Sequence, residues 1–82
     1  MDIKNQVIAI LDEVLGLNGR SAVFTLDTPL LGAIPELDSM AVLGILTQIQ
    51  DDFGVQIDDD EVSADIFQTF GDLKRFVEAK LA

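Results

Sequence analysis

The sequence predicts an all-α fold: a small, antiparallel-type helical bundle of three main helices plus one short helix, with a long ordered loop between the first two. Three observations predict it. Apolar residues recur at helical spacing in three separate segments. No stretch offers the partner strands that a sheet requires. With 49% apolar residues in 82, the chain is too hydrophobic for generic disorder and long enough for one small domain, residues 1–82. A core this small supplies only about 3–5 kcal/mol. The chain has no Cys, so disulfide and thiolate staples are excluded and helix packing must hold the fold.

Helix one is read from Ile3, Val7, Ile10, Leu11 and Val14, with Gly16 as its stop. From Leu17 to Leu37 the periodicity fades, and Asn18-Gly19, Thr28-Pro29 and Ile34-Pro35 punctuate a loop longer than usual. Phe24, Leu26, Leu30, Leu31 and Ile34 give that loop more apolar surface than a free linker carries, so it is expected to pack on the helices, ordered but mobile. Asp38 is a good N-cap, which puts Ser39 at the first position of helix two, running to about Phe53. At 100° per residue, Val42, Ile45, Leu46, Ile49 and Phe53 form the core stripe. Met40, Gly44, Thr47 and Asp51 lie opposite, with Leu43 at the flank. The exposed Met40 and Leu43 suggest a docking patch beside Ser39.

Gly54 ends helix two, and Val55-Gln56-Ile57 reads as an apolar connector. Asp58-Asp59-Asp60-Glu61 resembles the acid-rich first turn of a short helix, with Asp65-Ile66-Phe67 its continuation or a separate turn. Thr69 caps a last helix carrying Phe70, Leu73, Phe76, Val77 and Leu81, with Lys74, Arg75 and Lys80 toward its C-terminal half.

Several chemistries are disfavoured. The chain has no His for a triad and no Cys for a thiolate, and no GxxxxGK[ST] phosphate loop. It is therefore not expected to be an enzyme. The acid cluster fails as an EF-hand: Val62 stands at the fifth place, Ser63 where glycine is needed, and Thr69 where a bidentate glutamate belongs. No metal site is expected. Fifteen acids against five Lys plus Arg give a net charge of −10, which repels nucleic acid and anionic lipid and favours basic protein partners. No apolar run is long enough for a membrane span. The N-terminus lacks the layout of a secretion signal, so a cytoplasmic monomer is expected. An Asp-Ser pair at a helix start, with nothing to activate the hydroxyl, marks Ser39 as a group acted on by another enzyme.

The tripeptide Asp38-Ser39-Met40 resembles the Asp-Ser-Leu/Met signature of acyl and peptidyl carrier proteins. The setting is similar too: a helix, a long loop, a mid-chain serine, a second helix closing in Asp51-Asp52-Phe53-Gly54, and Thr69-Phe70-Gly71-Asp72-Leu73 at the last helix opening. The resemblance spans almost the whole chain. It implies that Ser39 receives phosphopantetheine from coenzyme A through a phosphopantetheinyl transferase, and that the arm's thiol carries acyl groups as thioesters. It also implies transferase recognition around Asp38, an acyl-loading ligase, and acyl-transferring partner enzymes.

The sequence departs from the fatty-acid carriers at Ala41, Gly44 and Gln50, where acids are common in that family. A less acidic docking face, formed by Met40, Ala41, Leu43, Gly44, Thr47 and Asp51, points to a specialised pathway rather than bulk fatty acid synthesis. The stretches Glu13-Val14-Leu15-Gly16-Leu17 and Pro29 to Leu37 are similar to carriers associated with bacterial exosortase and exopolysaccharide systems. The alternatives are a peptidyl or aminoacyl carrier and an unmodified acidic interaction module.

Overall fold

The computed structural model describes residues 2–82. Helix α1 spans Ile3–Leu15, α2 spans Ser39–Phe53 and α3 spans Phe70–Leu81, at the positions the apolar spacing predicts. Each starts on a side-chain cap: Asp2 accepts from the Asn5 N–H, Asp38 from Ala41 and Thr69 from Asp72. Such caps satisfy backbone donors that have no partner inside the helix. Helices α1 and α2 end on Gly16 at φ 64° and Gly54 at φ 67°, the left-handed turn that glycine adopts without steric cost.

The core is built from one face of each helix: Val7, Ile10 and Leu11 from α1, Ile45 and Ile49 from α2, and Phe70, Leu73 and Val77 from α3, all 2% exposed or less. Each such side chain contributes about 1.5–3 kcal/mol by leaving water. Among the described residues the only β-type pairing is an isolated bridge between Pro29 and Thr69. Helices α1 and α2 approach closely at Gly44, where a Cβ would stand 3.2 Å from Val14 Cγ1.

The long loop is ordered by backbone hydrogen bonds to the approach and first turn of α3. Leu30 and Leu31 donate to the carbonyls of Gln68 and Phe67, both at 2.9 Å. In return, Phe70 donates to Thr28 at 2.8 Å and Gly71 to Leu26 at 2.9 Å. Leu30 and Leu37 are buried, and Phe24 and Ile34 pack against the core. Leu26 and Leu31 depart from expectation, at 51% and 42% exposed. Their backbone serves the stitching, which leaves their side chains outside.

The loop also contains a 3-10 turn, Arg20–Val23, that periodicity could not reveal because it is only one turn long. Asp12 of α1 holds it: one carboxylate oxygen accepts from the Gly19 N–H at 2.7 Å and from the Ser21 hydroxyl at 2.9 Å. The expected short helix after α2 is two separate 3-10 turns, Asp59–Glu61 and Ala64–Phe67. The second is seated by Phe67, 2% exposed.

Four carboxylates are paired among the described residues: Glu78 with Lys74 within α3, Glu36 with Arg20, Asp72 with Arg75 and Glu61 with Lys80. In the last three the hydrogen-bonded cation holds the carboxyl below its usual range. A carboxyl lowered by folding adds stability above its unfolded pKa and loses it as pH falls through the folded one. The melting-temperature margin of the wild type over Glu61→Gln is therefore expected to be largest at neutral pH and to shrink on acidification. A margin that grows as pH falls would contradict the pairing.

Candidate functional site

Ser39 is positioned from both sides. Before it, Leu37 is driven into the core at 6% exposed, and Arg20 pairs with Glu36. At its own turn, Asp38 sits in extended backbone, φ −113°, and its Oδ1 accepts from the Ala41 N–H at 2.8 Å. The Asp38 carbonyl accepts from Val42 at 3.0 Å. Ser39 is thus the first residue of a 15-residue helix, and its side chain is exposed. The N–H groups of Ser39 and Met40 have no acceptor among the described residues. They form the positive end of the α2 dipole, where an anion is favoured.

The cap is worth testing by itself. Asp38→Ala is expected to cost about 1 kcal/mol, and Asp38→Asn far less because Asn is an equivalent cap. Urea denaturation measures both. Equal stability of Asp38→Ala and the wild type would mean that the cap does not hold the turn.

Ser39 stands on the rim of an open groove of about 390 Å³ lined by Leu31, Val42, Val62, Ala64 and Phe67. A second groove of about 390 Å³, lined by Leu43, Leu46, Thr47, Gln50 and Ile57, shares Val62 as a wall. The two lie on either side of Val62 along the seam between α2 and the segment after it.

The structure divides the residues expected on the docking face. Met40 and Leu43 are 74% and 59% exposed, and Thr47 and Asp51 are exposed as well. Ala41 is half-buried against the core, and Gly44 faces Val14 of α1. This corrects the sequence reading of Gly44. The neighbour that comes close to it is a helix of the same chain, which the 100° wheel placed elsewhere because it carries no information on where α1 crosses.

Only three serines exist, Ser21, Ser39 and Ser63. Ser21 is 1% exposed and donates to Asp12. Ser63 is exposed but precedes a 3-10 turn of four residues and makes no capping bond. Ser39 alone joins exposure to the start of a long helix. Among the described residues no group of carboxylates is arranged to hold a metal ion, and no helix is long and apolar enough to cross a membrane.

A family model for the phosphopantetheine attachment site matches residues 5–77. The chain is also similar to a holo acyl carrier protein from Nitrosomonas europaea solved by solution NMR, with 47% identity over 99% of this chain and 98% of that chain and a TM-score of 0.90. The comparison with curated proteins found no match. With the family pattern covering nearly all of a three-helix fold that the solved relative shares, the chain belongs to the acyl carrier protein family of phosphopantetheine-attachment proteins, non-catalytic carriers with a phosphopantetheine prosthetic group.

Proposed function

We propose that Ser39 is the attachment point, and that the protein presents acyl groups to partner enzymes of a specialised pathway. The observation that carries this reading is the exposed Ser39 hydroxyl at the opening of α2, on the rim of an apolar groove. The residues present fit the prosthetic group. A phosphodiester on Ser39 lies beside the unpaired N–H groups of the first helical turn, which favour its negative charge. Asp38 keeps that turn formed while its Oδ1 is committed to the Ala41 N–H. When bound, the group supplies a thiol that holds acyl chains as thioesters. The chain's own part is to hold the arm at one point and expose it, so that encounter with a docked partner becomes nearly intramolecular, at effective concentrations of about millimolar for short flexible linkers.

The specialised pathway is supported by the exposed apolar pair Met40 and Leu43 beside Ser39, a surface that a matching apolar patch on a dedicated partner would cover. A phosphopantetheinyl transferase, an acyl-loading ligase and acyl-transferring enzymes are the proposed partners. The test is intact mass. Apo protein incubated with coenzyme A, magnesium and a broad-specificity transferase is expected to gain one phosphopantetheine group. An unchanged mass would overturn the attachment reading. Loading of the holo protein by acyl ligases, and not by aminoacyl ligases, then separates acyl from peptidyl service.

A further inference from the structure

The two long connections of this fold are held in opposite ways. The loop between α1 and α2 is stitched to residues 67–71 by four backbone hydrogen bonds. For residues 55–63, between α2 and the second 3-10 turn, none of the backbone hydrogen bonds among the described residues reaches a helix. That segment is fastened by two side chains. Gln50 of α2 accepts from the Ile57 N–H at 3.0 Å. Lys80, near the end of α3, donates to both carboxylate oxygens of Glu61 at 2.8 Å. Glu61 also accepts from the Asp58 N–H at 2.9 Å, so the Lys80 contact fixes the whole acidic turn. Beyond these, half-buried Val55, Ile57 and Val62 pack on the core.

Val62, the residue after Glu61, is the shared wall of the apolar groove at Ser39 and of the more polar groove beside it on α2. Its position therefore sets how wide the groove at Ser39 stands. We propose that the Glu61–Lys80 ion pair is a latch on the 55–63 segment, which controls how readily the groove beside Ser39 opens to an apolar chain. That such a chain is cargo carried on Ser39 rests on the function proposed above, whereas the latch is a property of the unmodified protein. Glu61 and Lys80 are positioning residues: neither lines the groove, and both act through Val62.

The chemistry favours a latch over a permanent weld. Four consecutive acids, Asp58 to Glu61, repel one another, and one ammonium offsets them. An ion pair with side chains 22% and 35% exposed is partly screened by water and salt. Segments held by few contacts open locally without global unfolding. A partner surface that competes for Lys80 or for Glu61 would release the wall.

The experiment is amide hydrogen exchange on the apo protein, read with the affinity of a neutral solvatochromic dye, Nile red, for the same samples. Lys80→Met and Glu61→Gln change net charge in opposite directions, yet both are expected to raise exchange of residues 55–63 by roughly threefold to fivefold. Both are expected to tighten Nile red binding, with α1 and α2 exchange unchanged. Lys80→Arg, which keeps the cation and leaves Glu61 to accept from the Asp58 N–H, is expected to keep wild-type protection. Lys74→Met, which breaks the Lys74–Glu78 pair within α3, is expected to alter neither readout. The proposal is overturned if both latch variants keep wild-type exchange in 55–63, if exchange accelerates equally in all three helices, or if dye binding does not change. Because no arm is attached, a failed mass gain at Ser39 removes the carrier reading and leaves this result standing, and the reverse also holds.

Discussion

Ser39→Ala is expected to abolish phosphopantetheine addition completely while leaving the fold intact. The hydroxyl is exposed, and its oxygen makes no hydrogen bond among the described residues, so its removal leaves no buried partner unsatisfied. Alanine is also the better helix former. Substitutions at such surface positions usually change stability by less than about 0.5 kcal/mol. The variant should therefore melt within a few degrees of the wild type and show no mass gain under conditions that convert the wild type fully. Ser63→Ala is the matched control, since it removes the other exposed serine on the same groove, and it is expected to gain mass normally. A mass gain retained by Ser39→Ala would place the arm on another residue.

The second large effect is on stability. Gly71→Ala is expected to destabilise the protein by about 2–4 kcal/mol, from the cost of overpacking together with that of an orphaned carbonyl. Gly71 is buried at the second position of α3 and donates to the Leu26 carbonyl at 2.9 Å. A Cβ there would stand 2.7 Å from that same oxygen. The obstruction is backbone, and neighbouring bonds from Phe70 to Thr28 and from Leu30 to Gln68 hold it in place. In a domain whose core supplies only a few kcal/mol, such a loss takes the variant close to unfolding at physiological temperature. Gly44→Ala is the informative contrast, because its Cβ would meet the tip of the Val14 side chain at 3.2 Å. A shift of a few tenths of an ångström between the two helices relieves that contact, and the gain in helix propensity is about 1 kcal/mol. Urea titration of the two variants measures both. If Gly71→Ala were as stable as Gly44→Ala, the loop would not be fixed to α3 as described.

How far the sequence could be read follows from which interactions are local. The three helices and four of their ends were legible because Asp38, Thr69, Gly16 and Gly54 act within one turn of where they stand, whereas the Asp2 cap of α1 was not read. Ser39 was legible for the same reason: its position depends on the cap beside it. Interactions between distant segments were not. Gly71 reads as a costly residue in a helix, and only the fold shows the Leu26 carbonyl lying against it. Asp12 reads as one more acid on α1, although it organises the turn around Ser21. Lys80 reads as a favourable charge near a helix C-terminus, while the structure aims it at Glu61, nineteen residues away. Gly44 was assigned to the outer face because the angle at which α1 crosses α2 is a tertiary property, and Ala41 was placed on the docking face by comparison with the fatty-acid carriers, which does not report its burial against the core. The acidic segment after α2 forms two 3-10 turns, Asp59–Glu61 and Ala64–Phe67, each too short to leave a periodicity in the sequence.

A single hydroxyl, that of Ser39, is expected to react, and fragment-level mass spectrometry of the modified wild type tests this most directly. The phosphopantetheine mass is expected on the fragment containing Ser39, and on no fragment containing Ser21 or Ser63. The group found on either of those serines, or on none of the three, would contradict it.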